Sequence, residues 1–488
     1  MGNFRPIMLM DVLMKVNMRV HNQRMTNAWR RMKVLTENNA GFQRGRGTPS
    51  SIFPLRVAAA QAARKKQELA ALFDDLAWAF DTPPRAVIEL ALRRLGVPDY
   101  FVRLLRDADN MALRDTALAA GGAHETTGEY HRVLFGTAQG TVEGPSLWMA
   151  VADIVVDWAA RHNDQPVDLD AGPSGSEPVG FATFVDDSGL VQGGPGADVA
   201  LARLANATGL MYYFLGLKRR AKKCVYSRMV WVKGKLQRVA QRRTTGLVVD
   251  EYVAEWDTGN PVLRRWRTVI KEVDHDHEFR HLGYTASISG HENNAVAALR
   301  AEAKSMGDMI MGCRSARRCA HSIFKMVVIP KLVYPLAFTR LTRKGIDAVE
   351  SAFGENLRHS LHMAAGSAWD VIAGSEEHGG LGYTRLADVV LQTRVSHFIQ
   401  MHKYGTKTEK AVMNADLWQA QVWYGKRTPI TTMTRQQAEV LEGPNKMRGA
   451  PWTAVVLQQA AMAGYMIDGI LEVEPPSLDD ATFMEVAE

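Results

Sequence analysis

Two short β-prone runs in this chain end on carboxylates. Leu72 to Asp75 is apolar until its last two residues, and Phe181-Ala182-Thr183-Phe184-Val185 meets Asp186-Asp187-Ser188-Gly189 before resuming as Leu190-Val191-Gln192. The second segment reads as strand, tight turn, strand. Folding alone gives no reason to place Asp75, Asp186 and Asp187 at such ends. Carboxylates gathered on one sheet edge repel and raise each other's pKa until a cation neutralises them. Hard oxygen donors with no His or Cys beside them suit Mg²⁺ better than zinc. A pair of such ions can hold the attacking and leaving oxygens of an in-line phosphoryl transfer. An Asp-Asp pair by itself is more often a plain turn, so the surrounding sequence has to decide.

At 488 residues with 46% hydrophobic and 23% charged side chains, the chain has the material for several folded units or one multi-lobed enzyme. That composition excludes a disordered chain and a single small binding module. The net charge of +7 means little as a total. Its distribution says more: Lys218 to Arg243 holds eleven Lys or Arg and no acid, interleaved with Tyr226 and Trp231. Such a run reads either as a solvated face or as a nucleic-acid contact. Cys224, Cys313 and Cys319 have neither disulfide-framework nor zinc spacing, which suits a reducing compartment. The most apolar stretch, Phe324 to Phe338, is broken by Lys325, Lys331 and two prolines, so no membrane partner is expected. No targeting signal is evident, and Pro6 occupies the Ser/Thr position that myristoylation needs. The expected location is intracellular, in nucleus or cytoplasm.

Local signals place the elements. The first seventy residues are helix-prone and basic, leading into the glycine- and arginine-rich loop Gly41 to Gly47. After the first acidic strand, Asp81 or Thr82 can cap a helix with Pro83 and Pro84 in its first turn. Val87, Ile88, Ala91, Leu92 and Leu95 form its buried stripe, and Gly96 stops it. Pro98 opens a second helix and Pro145 a third, strongly apolar one. Asn163 to Pro178 reads as a polar loop, and the chain beyond residue 290 as predominantly helical.

Taken in order, several segments carry a resemblance. They are Phe4-Arg5-Pro6-Ile7, Ala40 to Thr48, Phe73-Asp74-Asp75-Leu76-Ala77-Trp78-Ala79-Phe80-Asp81, Gly136-Thr137-Ala138-Gln139-Gly140 with Pro145, and Phe184-Val185-Asp186-Asp187. In this order they resemble the reverse transcriptases of non-LTR (LINE-type) retrotransposons. Gly216-Leu217-Lys218 with Lys222-Lys223-Cys224, Phe279 to Gly283, Ile329 to Tyr334 and Gly379 to Gly382 extend the likeness, which covers about residues 4 to 390.

The resemblance implies an α+β right-hand polymerase: a palm of antiparallel sheet backed by helices, partial fingers, a helical thumb and a helical C-terminal region. It places partial fingers at 1–70 and the palm with fingers elements and a basic insertion at 71–290. The thumb would occupy 291–372 and the C-terminal helices 373–488. The activity implied is RNA-directed DNA polymerisation, extending a DNA primer with dNTPs on an RNA template with two Mg²⁺ ions, or Mn²⁺ in their place.

Asp75 and Asp186 would be the principal metal ligands and Asp187 the third carboxylate. Lys223 would protonate departing pyrophosphate, with Lys222 and Lys218 as competitors. Arg5 would grip the triphosphate, Phe80 would exclude a 2′-hydroxyl, and Gln139 and Gly140 would let the nascent base pair approach the backbone. Arg44, Arg46, Lys218, Arg219, Arg220 and Lys222 would contact nucleic acid, and Phe279 to Gly283 would hold the primer end. Family members carry a fingers segment before the Arg-Pro-Ile motif with a further triphosphate lysine. The front of this chain is therefore expected to be short, and the endonuclease function to come from a missing segment or another protein. The other reading of the same features is an inactive retroelement remnant that only binds nucleic acid.

Overall fold

A computed structural model describes residues 11–111, 117–120, 123–126, 135–137, 140–241, 246–257, 260–312, 319–364, 366–425, 430–441 and 449–465. Helix α1 (Val12–Met32) begins where the Asp11 carboxylate accepts from the amides of Leu13 and Met14, and it buries Met18, Met25 and Trp29. Helix α2 (Pro49–Arg64) starts on proline and is buried along most of its length. It is followed by β1 (Leu69–Ala77), α3 (Arg85–Arg94) and α4 (Asp99–Met111). The apolar stripe Ile88, Ala91 and Leu92 of α3 faces the core, as its spacing predicts.

A small hairpin, β2 (Ala117–Ala120) with β3 (Ala123–Thr126), precedes α5 (Gly144–Arg161). Then come β4 (Val167–Asp170), β5 (Ser176–Val179), β6 (Phe181–Phe184), β7 (Asp187–Gly193) and α6 (Ala197–Phe214). The segment expected as a polar loop after residue 163 thus contains the antiparallel β4–β5 pair, with Val167 and Leu169 facing inward in strict alternation. The basic tract is also not one loop. It is divided among β8 (Lys218–Arg219), β9 (Val225–Met229), β10 (Trp231–Val232) and β11 (Lys235–Leu236). A long hairpin of β12 (Gly246–Asp257) and β13 (Asn260–Val273) follows, then a short one of β14 (Phe279–His281) and β15 (Tyr284–Ala286).

The fold is α+β. Its main sheet runs β12-β13-β9-β1-β7-β6, with β8 pairing with the end of β1. All pairs are antiparallel except β13 with β9. Strand β1 is longer than its apolar run suggested and divides two cores by its period of two. Ala70, Leu72 and Leu76 enter one core with α3, α5 and α6, while Leu69 and Ala71 enter the other with α2, and Phe73 packs against that second core.

The remaining chain is helical. Helix α7 (Asn293–Gly312) packs with Arg343–Ser360 and with the stretch Ala320–Phe338, which passes through one π-helical turn at Phe324–Val328. That 19-residue stretch, in spite of its lysines and prolines, is long and apolar enough to cross a membrane. Here Phe324, Val328, Leu332 and Leu336 are buried in the helical core. Lys407–Tyr424 and Trp452–Met462 instead join the core of α2, where the Phe53 and Trp452 rings lie 4.5 Å apart.

Candidate active site

The register of β1 on β7 sets Asp75 directly across from Asp187. Asp186 sits in the two-residue connection between β6 and β7, preceded by Val185 at φ 63°. A β-branched residue in the left-handed region is strained and has to be held there. Two contacts hold it. Trp148 Nε1 donates to the Val185 carbonyl at 3.0 Å, and the amide of Ala40 donates to Thr183 O at 3.1 Å, docking the glycine-rich loop against the turn. Gly41 is needed at that approach, because a Cβ there would lie 2.8 Å from the Val185 nitrogen.

The three carboxylates share one electrostatic field. Burial pushes Asp187 up to about 6, with the charges of Asp186 and Asp75 adding to the effect. Burial also raises Asp75, while Lys223 and Arg220 pull it down and Asp186 and Asp74 push it up. Oδ1 of Asp75 is buried without a hydrogen bond, and Arg220 Nε stands 3.8 Å from it. An orphaned carboxylate oxygen beside two further acids fits a hard divalent cation. Among the described residues no three acidic, histidine or cysteine side chains already converge on a single ion position. The trio is gathered by register and by the electrostatic field that its members share.

Phe80 is half-buried, 5.3 Å from the Trp148 ring and 6.1 Å, edge-on, from Phe42. The Thr137 amide donates to the Phe80 carbonyl at 2.6 Å and that of Gly136 to Pro83 at 2.8 Å, so this loop is tied to the end of the β1 segment. Gly140 is exposed at φ 97°, a backbone state that an L side chain would strain. On the Asp75 side of β1, Phe73 meets Phe279 at 4.5 Å and His281 at 4.9 Å, which brings the β14–β15 hairpin beside the acids. The Tyr334 hydroxyl of the helix Ile329–Phe338 donates to Leu282 O at 2.5 Å and accepts from Thr48 Oγ1 at 2.8 Å.

The candidate phosphate contacts separate by direction. Lys218, Lys222, Lys223 and Arg44 are exposed, and Arg220 is partly so, lying over the exposed Trp78 ring at 5.8 Å. Two others do not point outward. Arg219 is buried and donates from Nε to both oxygens of Asp74, at 2.7 and 2.9 Å. Arg46 pairs with Glu409 at 3.0 Å and donates to Asn39 O, with its side chain 9% exposed. Neither guanidinium is free to take a phosphate, which corrects the expectation for both. Arg5 and Gln139 lie outside the described residues.

Asp74 and Tyr212 were missed in the sequence, yet a signal for Asp74 was present. Adjacent acids on a strand must face opposite sides, so one of Asp74 and Asp75 had to enter the core and find a cation there.

No family profile matches the chain, and no curated protein does. Among solved structures, telomerase from Candida albicans in complex with the TWJ fragment of telomeric RNA matches 83% of this chain and 56% of its own, at 11% identity and a TM-score of 0.28. Telomerase from Candida tropicalis in the corresponding complex matches the same shares at 9% identity and a TM-score of 0.33. The chain spans about half the length of these solved chains. Superpositions this loose assign it no activity.

Proposed function

We propose that this chain is an RNA-directed DNA polymerase of the non-LTR reverse-transcriptase type, with β1, β6 and β7 as the palm that carries its catalytic acids. The observation that carries the reading is the pairing of Asp75 with Asp187 across the ladder, with Asp186 in the strained turn beside them. Asp75 and Asp186, assisted by Asp187, would hold two Mg²⁺ ions. When bound, these would lower the pKa of the primer 3′-hydroxyl and neutralise charge on the triphosphate.

The residues of the chain supply orientation and proton transfer. The primer 3′-hydroxyl gives its proton to solvent water as its oxygen bonds to the α-phosphorus of a deoxynucleoside triphosphate, the bond from that phosphorus to pyrophosphate breaks, and the departing oxygen takes a proton from the Lys223 ammonium. Lys223 is exposed and acts electrostatically on Asp75, so it can reach the same small region. Phe80, with the Trp148 and Phe42 rings beside it, would strike a 2′-hydroxyl and so favour deoxynucleotides. Exposed Lys218, Lys222 and Arg44, with Arg220, would contact template or primer phosphates, and their effect should weaken as salt rises.

Purified protein given an oligonucleotide-primed RNA template, labelled dNTPs and Mg²⁺ should extend the primer, and Asp186→Asn should lower the rate by at least about 10²-fold. If wild type and Asp186→Asn extend equally little, the polymerase reading fails. Salt-sensitive RNA binding shared by both proteins would then identify a nucleic-acid-binding remnant.

A further inference from the structure

Asp74, one residue before the proposed metal ligand, is the centre of a buried network that the polymerase chemistry does not use. Its carboxylate, fully buried, receives Arg219 Nε on both oxygens, the Tyr212 hydroxyl at 3.2 Å and the Cys224 thiol at 3.1 Å. Arg219 also donates from Nη2 to Ala205 O at 3.0 Å and Thr208 Oγ1 at 3.2 Å, both on α6. Between Arg219 and Cys224 the backbone makes one turn, the amides of Lys223 and Cys224 both donating to Arg220 O. The Arg220 amide itself donates to the Asp75 carbonyl at 2.8 Å. A single carboxylate thus holds both ends of the turn that carries Arg220 and Lys223.

A buried ion pair is a poor device for stability, because desolvation consumes most of the Coulombic gain and apolar replacements are often neutral. What it supplies is direction. The planar Arg fork bonds Asp74 and α6 at once and thereby fixes the orientation of β8 against the end of β1.

We propose that Asp74 and Arg219 are positioning residues: they lock the Arg220–Cys224 turn onto the backbone of Asp75, so that Lys223 and the catalytic acid keep a fixed relation. The catalytic consequence rests on the polymerase reading; the mechanical one does not.

The test uses the full chain with Asp74→Leu/Arg219→Met, an apolar pair of similar bulk, and Arg219→Lys, which keeps the charge and loses the fork. Urea midpoints, amide hydrogen exchange at Arg220, Lys223 and Cys224, and primer-extension kcat and KM for dNTP are measured. The double variant should keep a midpoint near wild type. Its Arg220 amide should exchange at least tenfold faster, and kcat should fall at least tenfold with KM changed less than threefold. Arg219→Lys should show a severalfold rise in exchange at the same amide, which decides the matter if the double variant does not fold. Unchanged exchange in the variants that fold overturns the proposal, and so does a kcat that returns to wild type together with the midpoint. If wild type extends no primer, the polymerase reading fails, while the exchange rates still decide whether Asp74 holds the turn.

Discussion

Asp187 sits in an environment at odds with the ordinary chemistry of a carboxylate. Its pKa rises from 3.8 to about 6 on folding, so between those values the native state binds a proton that the unfolded chain has released. Its contribution to stability is therefore fully present below about pH 4 and is lost as pH rises through 6, because the ionised group is then held half-buried beside two other acids. A divalent cation should remove that penalty. The gain in melting temperature on adding Mg²⁺ is expected to be small at pH 5 and larger at pH 8, and Asp187→Asn should flatten the difference. Thermal melts with and without Mg²⁺ across this range measure it, and an Mg²⁺ gain independent of pH would contradict the assignment. Phe80 offers a second residue-level test. Its ring has aromatic neighbours at 5.3 and 6.1 Å that fix its position without enclosing it. Phe80→Val should raise incorporation of ribonucleotides relative to deoxynucleotides by at least about tenfold, an amount worth roughly 1.4 kcal/mol in the transition state. Competition primer extension with both substrates reads that ratio.

At the level of elements, what the sequence disclosed follows from which signals are local. The hairpin around Val185 and Asp186 was readable because two β-prone runs bracket a polar pair, and α3 because Pro, an apolar stripe and Gly mark its start, face and stop. Strand β1 was found but cut short, since Ala-rich sequence on either side of its apolar centre carries weak β preference. The β4–β5 pair was hidden in a segment of Asp, Gly, Ser and Pro whose alternation becomes clear only once Val167 and Leu169 have a core to face. The basic tract shows the limit most plainly. A run of eleven cations reports charge density and not direction, and the side of β8 on which Arg219 lies is set by pairing with Leu76 and Ala77, far away in sequence. Arg46 was misread for the same reason, because its partner Glu409 is 363 residues away. The approach of Asp75 to the Asp186–Asp187 turn could be anticipated from local pattern, whereas the Arg220–Cys224 turn depends on contacts that no local pattern announces.

For the whole molecule, the decisive feature is the return of the C-terminal chain to the N-terminal half. The boundary expected at residue 373 separates stretches of sequence, yet Val412, Met413, Leu417, Trp452, Val455 and Val456 share a core with Ile52, Phe53 and the strand residues Leu69 and Ala71. Arg394 reinforces this union: fully buried, it donates to the carbonyls of Leu336, Thr339 and Leu341 and to Gln459 Oε1. It thereby satisfies the end of one helix and ties it to Gln459 on another, 65 residues beyond Arg394 itself. Trp452 stands at the centre of the joint, 2% exposed, with its ring against Phe53 and Nε1 donating to Ala337 O at 2.9 Å. Removing it should open a cavity in the core beneath the proposed palm and leave the Ala337 carbonyl without that donor. Trp452→Ala is expected to cost about 3–5 kcal/mol, a large part of the roughly 5–15 kcal/mol that stabilises a typical domain. The effect should spread across the molecule. Hydrogen exchange in α2 and β1 should accelerate together with that of Lys407–Tyr424, and urea unfolding of both regions should shift by the same amount. If the C-terminal helices formed a unit of their own, unfolding would split into two transitions and only the one reporting residues beyond 405 would move.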